Sequence, residues 1–477
     1  MSLRRTKIVA TLGPATEGEQ QIKSLVEAGV DAIRLNFSHG SHSEYSRVIA
    51  TVRALANEAG KAIAIIADLQ GPKIRVGEMP DGGVELLRGQ EVTLTIQRVQ
   101  GSRELIPVNY AELPQVADKG NKILVDDGRI ALKVLEVSGS DVICRVTAGG
   151  LLISRKGVNF PGQHIIAPSL TGKDQQDLDF ALQAGVDYVA LSFVRSADDI
   201  KELRTQISSR TDRIVKVIAK IEKHEAIRNI TSIIDVADAI MIARGDLGVE
   251  IAPERVPYWQ KEIIKRAIAR AKTVITATEM LESMIARPIP TRAEASDVAN
   301  AVYDGTDAVM LSGETAVGKY PAKAVSTMHR ITKTVESTIR HRHDAHMRLS
   351  KSVTDAISAA ACEISQNLDV RVLVTPTSSG TTALEVAKHR PAAPVLAVSS
   401  NRDVVNQLAL VWGVRPYYVP PARDTDDMFT KAINCARESG MAKPGEDIVI
   451  TAGVMVNVPG TTNLIKVHRM EDQEPVR

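Results

Sequence analysis

The chain has 477 residues, 44% hydrophobic and 24% charged, a soluble globular composition with room for two to four domains of about 150 residues each. Its 59 Lys and Arg nearly balance 57 Asp and Glu, leaving +2, which argues against a general nucleic-acid binder or an acidic-membrane binder. Apolar runs such as Ile63–Ala67 are strand-sized, far below the about 20 residues of a membrane span, and Cys144, Cys362 and Cys435 are too scattered for a disulfide framework or a Cys-zinc module.

Met1-Ser2-Leu3-Arg4-Arg5 leads straight into a strand pattern with no signal-peptide core, so a cytoplasmic protein is expected. Strands are predicted at Lys7–Leu12, Ala32–Phe37 and Ala62–Asp68, with an amphipathic helix at Gln20–Ala28. From Pro72 to Pro168 the pattern changes to Gly, Pro and alternating Val, Ile and Leu (Glu91–Ile96, Ile123–Val125, Ile130–Val137, Val142–Val146), which reads as an inserted all-β domain. The β/α alternation then resumes with strands at Tyr188–Phe193, Ile214–Ile221, Ala239–Ala243, Thr273–Thr278 and Ala308–Ser312, and a helix at Trp259–Ala271. Four strands open with one phrase: Val30-Asp31-Ala32, Val186-Asp187-Tyr188, Ala237-Asp238-Ala239 and Thr306-Asp307-Ala308, each a helix-to-strand turn. Beyond about residue 345, Val372–Thr375, Val395–Val398, Tyr417–Val419 and Ile448–Thr451 alternate with helices.

The expected fold is α/β: a TIM (β/α)8 barrel over 1–70 and 169–345, an inserted β-barrel lid domain over 71–168, and a C-terminal open α/β regulatory domain over 346–477. In such a barrel the chemistry gathers at the C-terminal strand ends, with the insert placed over them as a lid.

Arg34, Asn36 and Ser38 share one face at the end of the second strand, either a polar strand end or a phosphate site. Asp68 ends the third, as a turn cap or a ligand, before Gly71-Pro72-Lys73-Ile74-Arg75. Lys220 and Glu222 end the fifth strand, and Asp246 follows the sixth in Ala243-Arg244-Gly245-Asp246-Leu247-Gly248. Two carboxylates on adjacent strands suit Mg²⁺ or Mn²⁺, while the plainer alternative is a salt-bridge network with Lys220 and Arg244. Gly245 admits close backbone approach, so the following amides suit a carboxylate. Thr278 and Glu279, then Ser312, Glu314 and Thr315, either relay a proton through water or cap the next helix.

Gly313 to Tyr320 nearly spells a phosphate loop, but Tyr320 replaces the small hydroxyl and Pro321 follows, so this is rejected. The His341, His343, His346 cluster is interleaved with Arg340 and Arg342, which favours an interdomain helix end over a metal site. Thr375 to Thr382 (Thr375-Pro376-Thr377-Ser378-Ser379-Gly380-Thr381-Thr382) packs six hydroxyls before a helix expected near Ala383, a phosphate site or a capped turn.

The whole chain resembles the pyruvate kinases, on Arg34-Leu35-Asn36-Phe37-Ser38-His39-Gly40, Lys156-Gly157-Val158-Asn159, Lys220-Ile221-Glu222, Ala243 to Gly248, Met280 to Met284, Pro288 to Glu294 and Leu311 to Thr315. The resemblance implies Mg²⁺-dependent transfer of a phosphoryl group from phosphoenolpyruvate to ADP, giving pyruvate and ATP in the last step of glycolysis. By that likeness Glu222 and Asp246 hold the cation (Mn²⁺ as a substitute), and Arg34 and Lys220 face the transferring group. Gly245, Asp246 and Thr278 cradle the substrate carboxylate. Asn36, Phe37, Ser38, His39, Arg75 and Lys156 meet the nucleotide, and Thr278, Ser312 and Glu314 surround the proton-donating water. A homotetramer is implied as well.

Thr377, Ser378, Ser379, Gly380, Thr381 and Thr382 are expected to bind a phosphorylated allosteric effector. By the resemblance, family members tuned to fructose 1,6-bisphosphate often carry additional Trp and Arg contacts late in the last domain, and Ala452 to Gly460 has neither, so a sugar monophosphate or AMP is favoured. The potassium pocket of related enzymes corresponds to Asn36, Ser38, Asp68 and Leu69, but Leu69, Gln70, Lys73 and Val76 follow the potassium-independent pattern, so Lys73 is expected to place an ammonium beside Asp68 and K⁺ not to be required. Two other readings of the same barrel are an Mg²⁺-dependent aldolase or lyase and a non-catalytic sugar-phosphate sensor.

Overall fold

The computed structural model describes residues 4–339, 352–454 and 462–471. Eight parallel strands close into a barrel: β1 (Lys7–Leu12), β2 (Ala32–Asn36), β3 (Ala64–Asp68), β4 (Tyr188–Leu191), β5 (Lys216–Ile221), β6 (Ala239–Ala243), β7 (Thr273–Ala277) and β8 (Ala308–Leu311), each bonded to its neighbours in sequence and β8 to β1. These strands are buried on both faces, which is why they read as continuous apolar runs. Helices return the chain between them. Those starting at His42, Gly172, Ala197 and Arg292 each carry a reciprocal capping box, from Ser41/Glu44, Thr171/Asp174, Ser196/Asp199 and Thr291/Glu294.

The repeated Asp phrase has a structural explanation. Asp31, Asp187, Asp238 and Asp307 sit at the N-terminal end of the barrel, and each accepts a hydrogen bond from an amide at the start of the preceding strand: Ile8, Ile65, Val217 and Val274 at 2.9, 2.7, 2.9 and 2.9 Å. Each also meets a cation: Arg4 at 2.5 Å, Arg53 at 2.7 Å, Arg204 at 2.9 Å and Arg390 at 2.9 Å respectively.

Between β3 and β4 lies the insert, a six-stranded sheet with a two-stranded one and its own core around Val92, Ile106, Ile123, Leu132 and Phe160. One short helix, Leu113–Val116, interrupts its all-β pattern. The C-terminal part is a five-stranded sheet in the order Val414–Tyr418, Val395–Ser399, Leu373–Pro376, Asp447–Gly453, Thr462–Arg469, with the last strand antiparallel. This last strand escaped the sequence reading because Asn463, Lys466 and His468 break its apolar run. Ala409 and Leu410 from this part seal the lower barrel interior against Val9, Ile66, Tyr188 and Ile218, and the Tyr188 hydroxyl donates to the Gln407 carbonyl at 2.9 Å. The His341, His343, His346 cluster and Met455 to Gly460 lie outside the described residues. No helix among the described residues is long and apolar enough to cross a membrane.

Candidate active site

At the C-terminal end of the barrel the strands deliver a dense charge cluster. Arg34, the third residue of β2, donates through Nε to Asp68 Oδ2 at 2.6 Å and through Nη1 to Thr11 Oγ1 at 3.1 Å. Asp68, the last residue of β3, is 1% exposed, and its other oxygen faces Lys220 Nζ at 3.2 Å. Lys220 also reaches Glu222 Oε1 at 2.9 Å and donates to Ser192 Oγ at 2.7 Å. Glu222 Oε2 accepts from the Phe193 amide at 2.8 Å, on a residue held at φ 56°. Such left-handed backbone at a non-glycine residue concentrates at sites that need one geometry.

One ammonium thus serves two buried carboxylates. Burial works against the charged form of each of the three groups. Asp68 nevertheless lies below the ordinary carboxylate range, because Lys220 and Arg34 both compensate it. Burial opposes the Lys220 charge too, yet Asp68 and Glu222 hold it above the ordinary lysine range. Glu222 is left the poorer: burial raises its carboxyl above the ordinary range, Lys220 offsets this only in part, and the nearby Asp246 charge raises it further. Asp246 lies in the first turn of the helix Arg244–Glu250 that follows β6. A partly compensated carboxylate beside a second one is a fit environment for a divalent cation.

Past β7 the backbone turns left-handed at Thr278 and Glu279, with φ 70° and 55°. Thr278 Oγ1 accepts from the Gly245 amide at 2.8 Å, while Arg244 fixes the turn through the Thr278 carbonyl at 2.7 Å and Asp297 at 2.7 Å. Past β8, Glu314 is fully buried and accepts from the amides of Leu281 and Ser312 at 2.9 and 2.7 Å. Burial raises its carboxyl. Ser312 Oγ is buried without a hydrogen-bond partner among the described residues.

The nucleotide-side residues are more dispersed. Asn36 Oδ1 accepts from the Ser38 amide at 3.2 Å, and Tyr45 donates to the carbonyls of Asn36 and His39, shaping that turn. Phe37 is 2% exposed, with its ring packed on Tyr45 and Phe180, so its side chain supports the turn from inside. Arg75 and Lys156 lie on the lid, where Lys156 pairs with Asp126 at 2.7 Å and Arg75 donates to the Arg155 carbonyl at 3.0 Å. Lys73 corrects an expectation. The ammonium beside Asp68 belongs to Lys220, whereas Lys73 lines the cleft between lid and barrel with Asn159, Lys223 and Asp246. The physical reason is that β3 ends at Asp68 and the chain has already turned into the lid by Pro72. Leu69 keeps its carbonyl in the site, accepting from Ser192 Oγ at 2.7 Å.

The sequence reading missed Ser192 and Thr11. Ser192 joins Lys220 to Leu69, and it carries the signal used elsewhere, a polar residue ending a predicted barrel strand. Thr11 on β1 orients Arg34, and nothing in an apolar strand marks it beforehand.

In the C-terminal part, Gly380 takes φ 87° and its amide donates to Thr377 Oγ1 at 2.9 Å, just before the helix Thr381–Lys388. Ser379 and Thr381 hydroxyls bond each other at 2.9 Å, Thr382 bonds Thr462 at 2.8 Å, and Ser378 is half-buried.

Fold and site together define a lidded (β/α)8-barrel enzyme with an acidic and cationic cluster at its strand ends. The family described as pyruvate kinase, barrel domain, matches residues 3–325, and that described as pyruvate kinase, alpha/beta domain, matches residues 355–468. The pyruvate kinase of Geobacillus stearothermophilus is 47% identical over 98% of this chain and 81% of its own. Pyruvate kinase 2 of Synechocystis sp. is 46% identical over 97% and 79%. A crystal structure of a pyruvate kinase from Cryptosporidium parvum superposes with a TM-score of 0.92 at 35% identity, covering 98% of this chain and 96% of that one. The chain belongs to the pyruvate kinase family and is a phosphotransferase.

Proposed function

We propose that Arg34 and Lys220 bind and neutralise the phosphoryl group passing from phosphoenolpyruvate to ADP, that Glu222 and Asp246 hold the Mg²⁺ (or Mn²⁺), and that Lys220 steadies the enolate left behind. The single observation that carries this reading is the Lys220 ammonium, held charged between Asp68 and Glu222 at 3.2 and 2.9 Å. A fixed cation where negative charge develops is the main protein contribution to phosphoryl transfer. Glu222 and Asp246 would hold Mg²⁺, which when bound would supply further charge neutralisation.

The Gly245 and Asp246 amides with Thr278 receive the substrate carboxylate. Ser312 Oγ, buried and unpartnered among the described residues, and the raised Glu314 carboxyl hold the water that protonates the enolate. Asn36, Ser38 and His39, with Arg75 and Lys156 brought in by lid closure, take the nucleotide. A coupled assay for ATP from phosphoenolpyruvate and ADP tests the reading. Carbon–carbon cleavage without ATP supports the lyase alternative, and binding without turnover supports a sensor.

The Thr377–Thr382 turn takes the phosphate of a sugar monophosphate or AMP in a homotetrameric enzyme. A panel of sugar phosphates and AMP in steady-state kinetics tests this, and strongest activation by a sugar bisphosphate contradicts it. K⁺ is not required. Support comes from Asp68, whose two oxygens already face the fixed cations Arg34 and Lys220. Rates in potassium-free tetramethylammonium buffer test it, and stimulation by K⁺ of about tenfold or more, roughly 1.4 kcal/mol, contradicts it.

A further inference from the structure

The strand Val158–Asn159 belongs to one of two chain segments through which the lid joins the barrel, and it is laced to the other: Val158 donates to the Ile74 carbonyl at 2.9 Å and Val76 to that of Lys156 at 2.8 Å. Arg75 and Lys156 therefore move with this pair of hinge segments. Hydrogen bonds between residues 71–168 and the barrel include the Gly71 amide to Asp174 Oδ1 at 3.1 Å and Arg195 Nη1 to the Ile165 carbonyl at 2.8 Å. The segment pair that carries Arg75 and Lys156 is tied by Asn159 Nδ2, which donates to Glu250 Oε1 at 3.1 Å. Glu250 is 5% exposed, and the same oxygen meets Lys223 Nζ at 2.5 Å.

These connections have a consistent geometry. Lys223 directly follows Glu222. Glu250 closes the short helix whose first turn carries Asp246. One buried carboxylate thus gathers the chain after each member of the carboxylate pair and the hinge of the lid. A buried carboxylate is secure only while its donors stay in place, so the preferred lid position is the one that keeps Asn159 within reach.

We infer that Glu250, through Lys223 and Asn159, is a positioning residue that sets where the lid lands relative to the Glu222–Asp246 pair, and so aligns the nucleotide rather than phosphoenolpyruvate. The inference rests on the proposed assignment of nucleotide contacts to Arg75 and Lys156.

Asn159→Asp keeps the side-chain shape but sets two carboxylates against each other, and the KM for ADP rises about tenfold while that for phosphoenolpyruvate stays within about twofold. The double variant Asn159→Asp with Glu250→Gln restores a donor–acceptor pair in reverse, with the introduced carboxylate also open to Lys223, and returns the KM for ADP to within about threefold of the natural value. Equal rises in both KM values, an unchanged KM for ADP, or a double variant no better than Asn159→Asp overturns the inference. ATP formation by the natural chain tests the underlying reaction separately, so the two failures are distinguishable.

Discussion

The two ends of the barrel use acidic side chains in opposite ways. At the N-terminal end, Asp31, Asp187, Asp238 and Asp307 each take a strand amide and a basic side chain, and the C-terminal part packs against that end. At the other end Asp68, Glu222 and Asp246 stand against Arg34 and Lys220, and Glu222 is pushed towards its protonated form. Paired charge makes one end a clamp, although burial raises the Asp187 carboxyl there too and leaves its Oδ1 without a hydrogen-bond partner among the described residues. At the other end Glu222 beside Asp246 makes a site that a cation and an anionic substrate complete. This division matches the general separation of stability and catalysis in such barrels.

Changes at the two ends should therefore fail differently. Lys220→Met is expected to lower kcat of the folded enzyme by about a hundredfold or more in steady-state kinetics, with some loss of stability in thermal melting because Asp68 and Glu222 lose a buried counter-charge. Asp307→Ala removes an acceptor from the Val274 amide, the Trp412 amide and Arg390. It should cost about 3 kcal/mol in urea unfolding, with kcat of the folded enzyme within about twofold.

Lys7 sharpens the contrast, since it is a cation at the lower end that is poorly compensated. It is buried with a hydrogen bond to the Val414 carbonyl at 2.7 Å, and burial lowers its pKa from 10.5 to about 8. The unfolded chain then binds the proton more tightly than the folded one, so this lysine costs stability below pH 8, and the cost fades as pH rises towards 10.5. Lys7→Met should accordingly stabilise the protein by about 2 kcal/mol at about pH 7 after the lost hydrogen bond, and the gain should vanish above about pH 10. Urea unfolding at those two pH values checks both expectations.

A smaller effect is expected at the upper end. Because burial raises the Glu222 carboxyl, acidification should protonate it at a higher pH than an ordinary glutamate, so apparent Mg²⁺ affinity falls as pH is lowered towards that range. Mg²⁺ titrations of turnover at a series of pH values reveal the dependence, and a flat profile argues against Glu222 as a ligand.

The barrel was legible in the sequence because its strands are short apolar runs, half of them announced by the Asp phrases, and because polar residues such as Arg34, Asp68 and Glu222 stand out where those runs end. The contacts between distant segments were not legible. Ser192 became important only once β4 lay beside β5, and Thr11 is one hydroxyl within an apolar strand. Lys73 follows Asp68 by five residues, yet the turn at Gly71 carries it into the lid cleft, so sequence proximity misled where chain direction decided. Phe37 sits inside a polar motif, and only the packing of Tyr45 and Phe180 turns it inward.

The central claim is that Glu222 and Asp246 hold the cation that phosphoryl transfer requires. The most direct test is ATP formation against Mg²⁺ concentration for the natural chain and Glu222→Gln, which keeps the shape and removes the charge. The predicted result is a loss of at least about tenfold, roughly 1.4 kcal/mol, in apparent Mg²⁺ affinity or turnover. Near-natural kinetics of Glu222→Gln at limiting Mg²⁺ would contradict it.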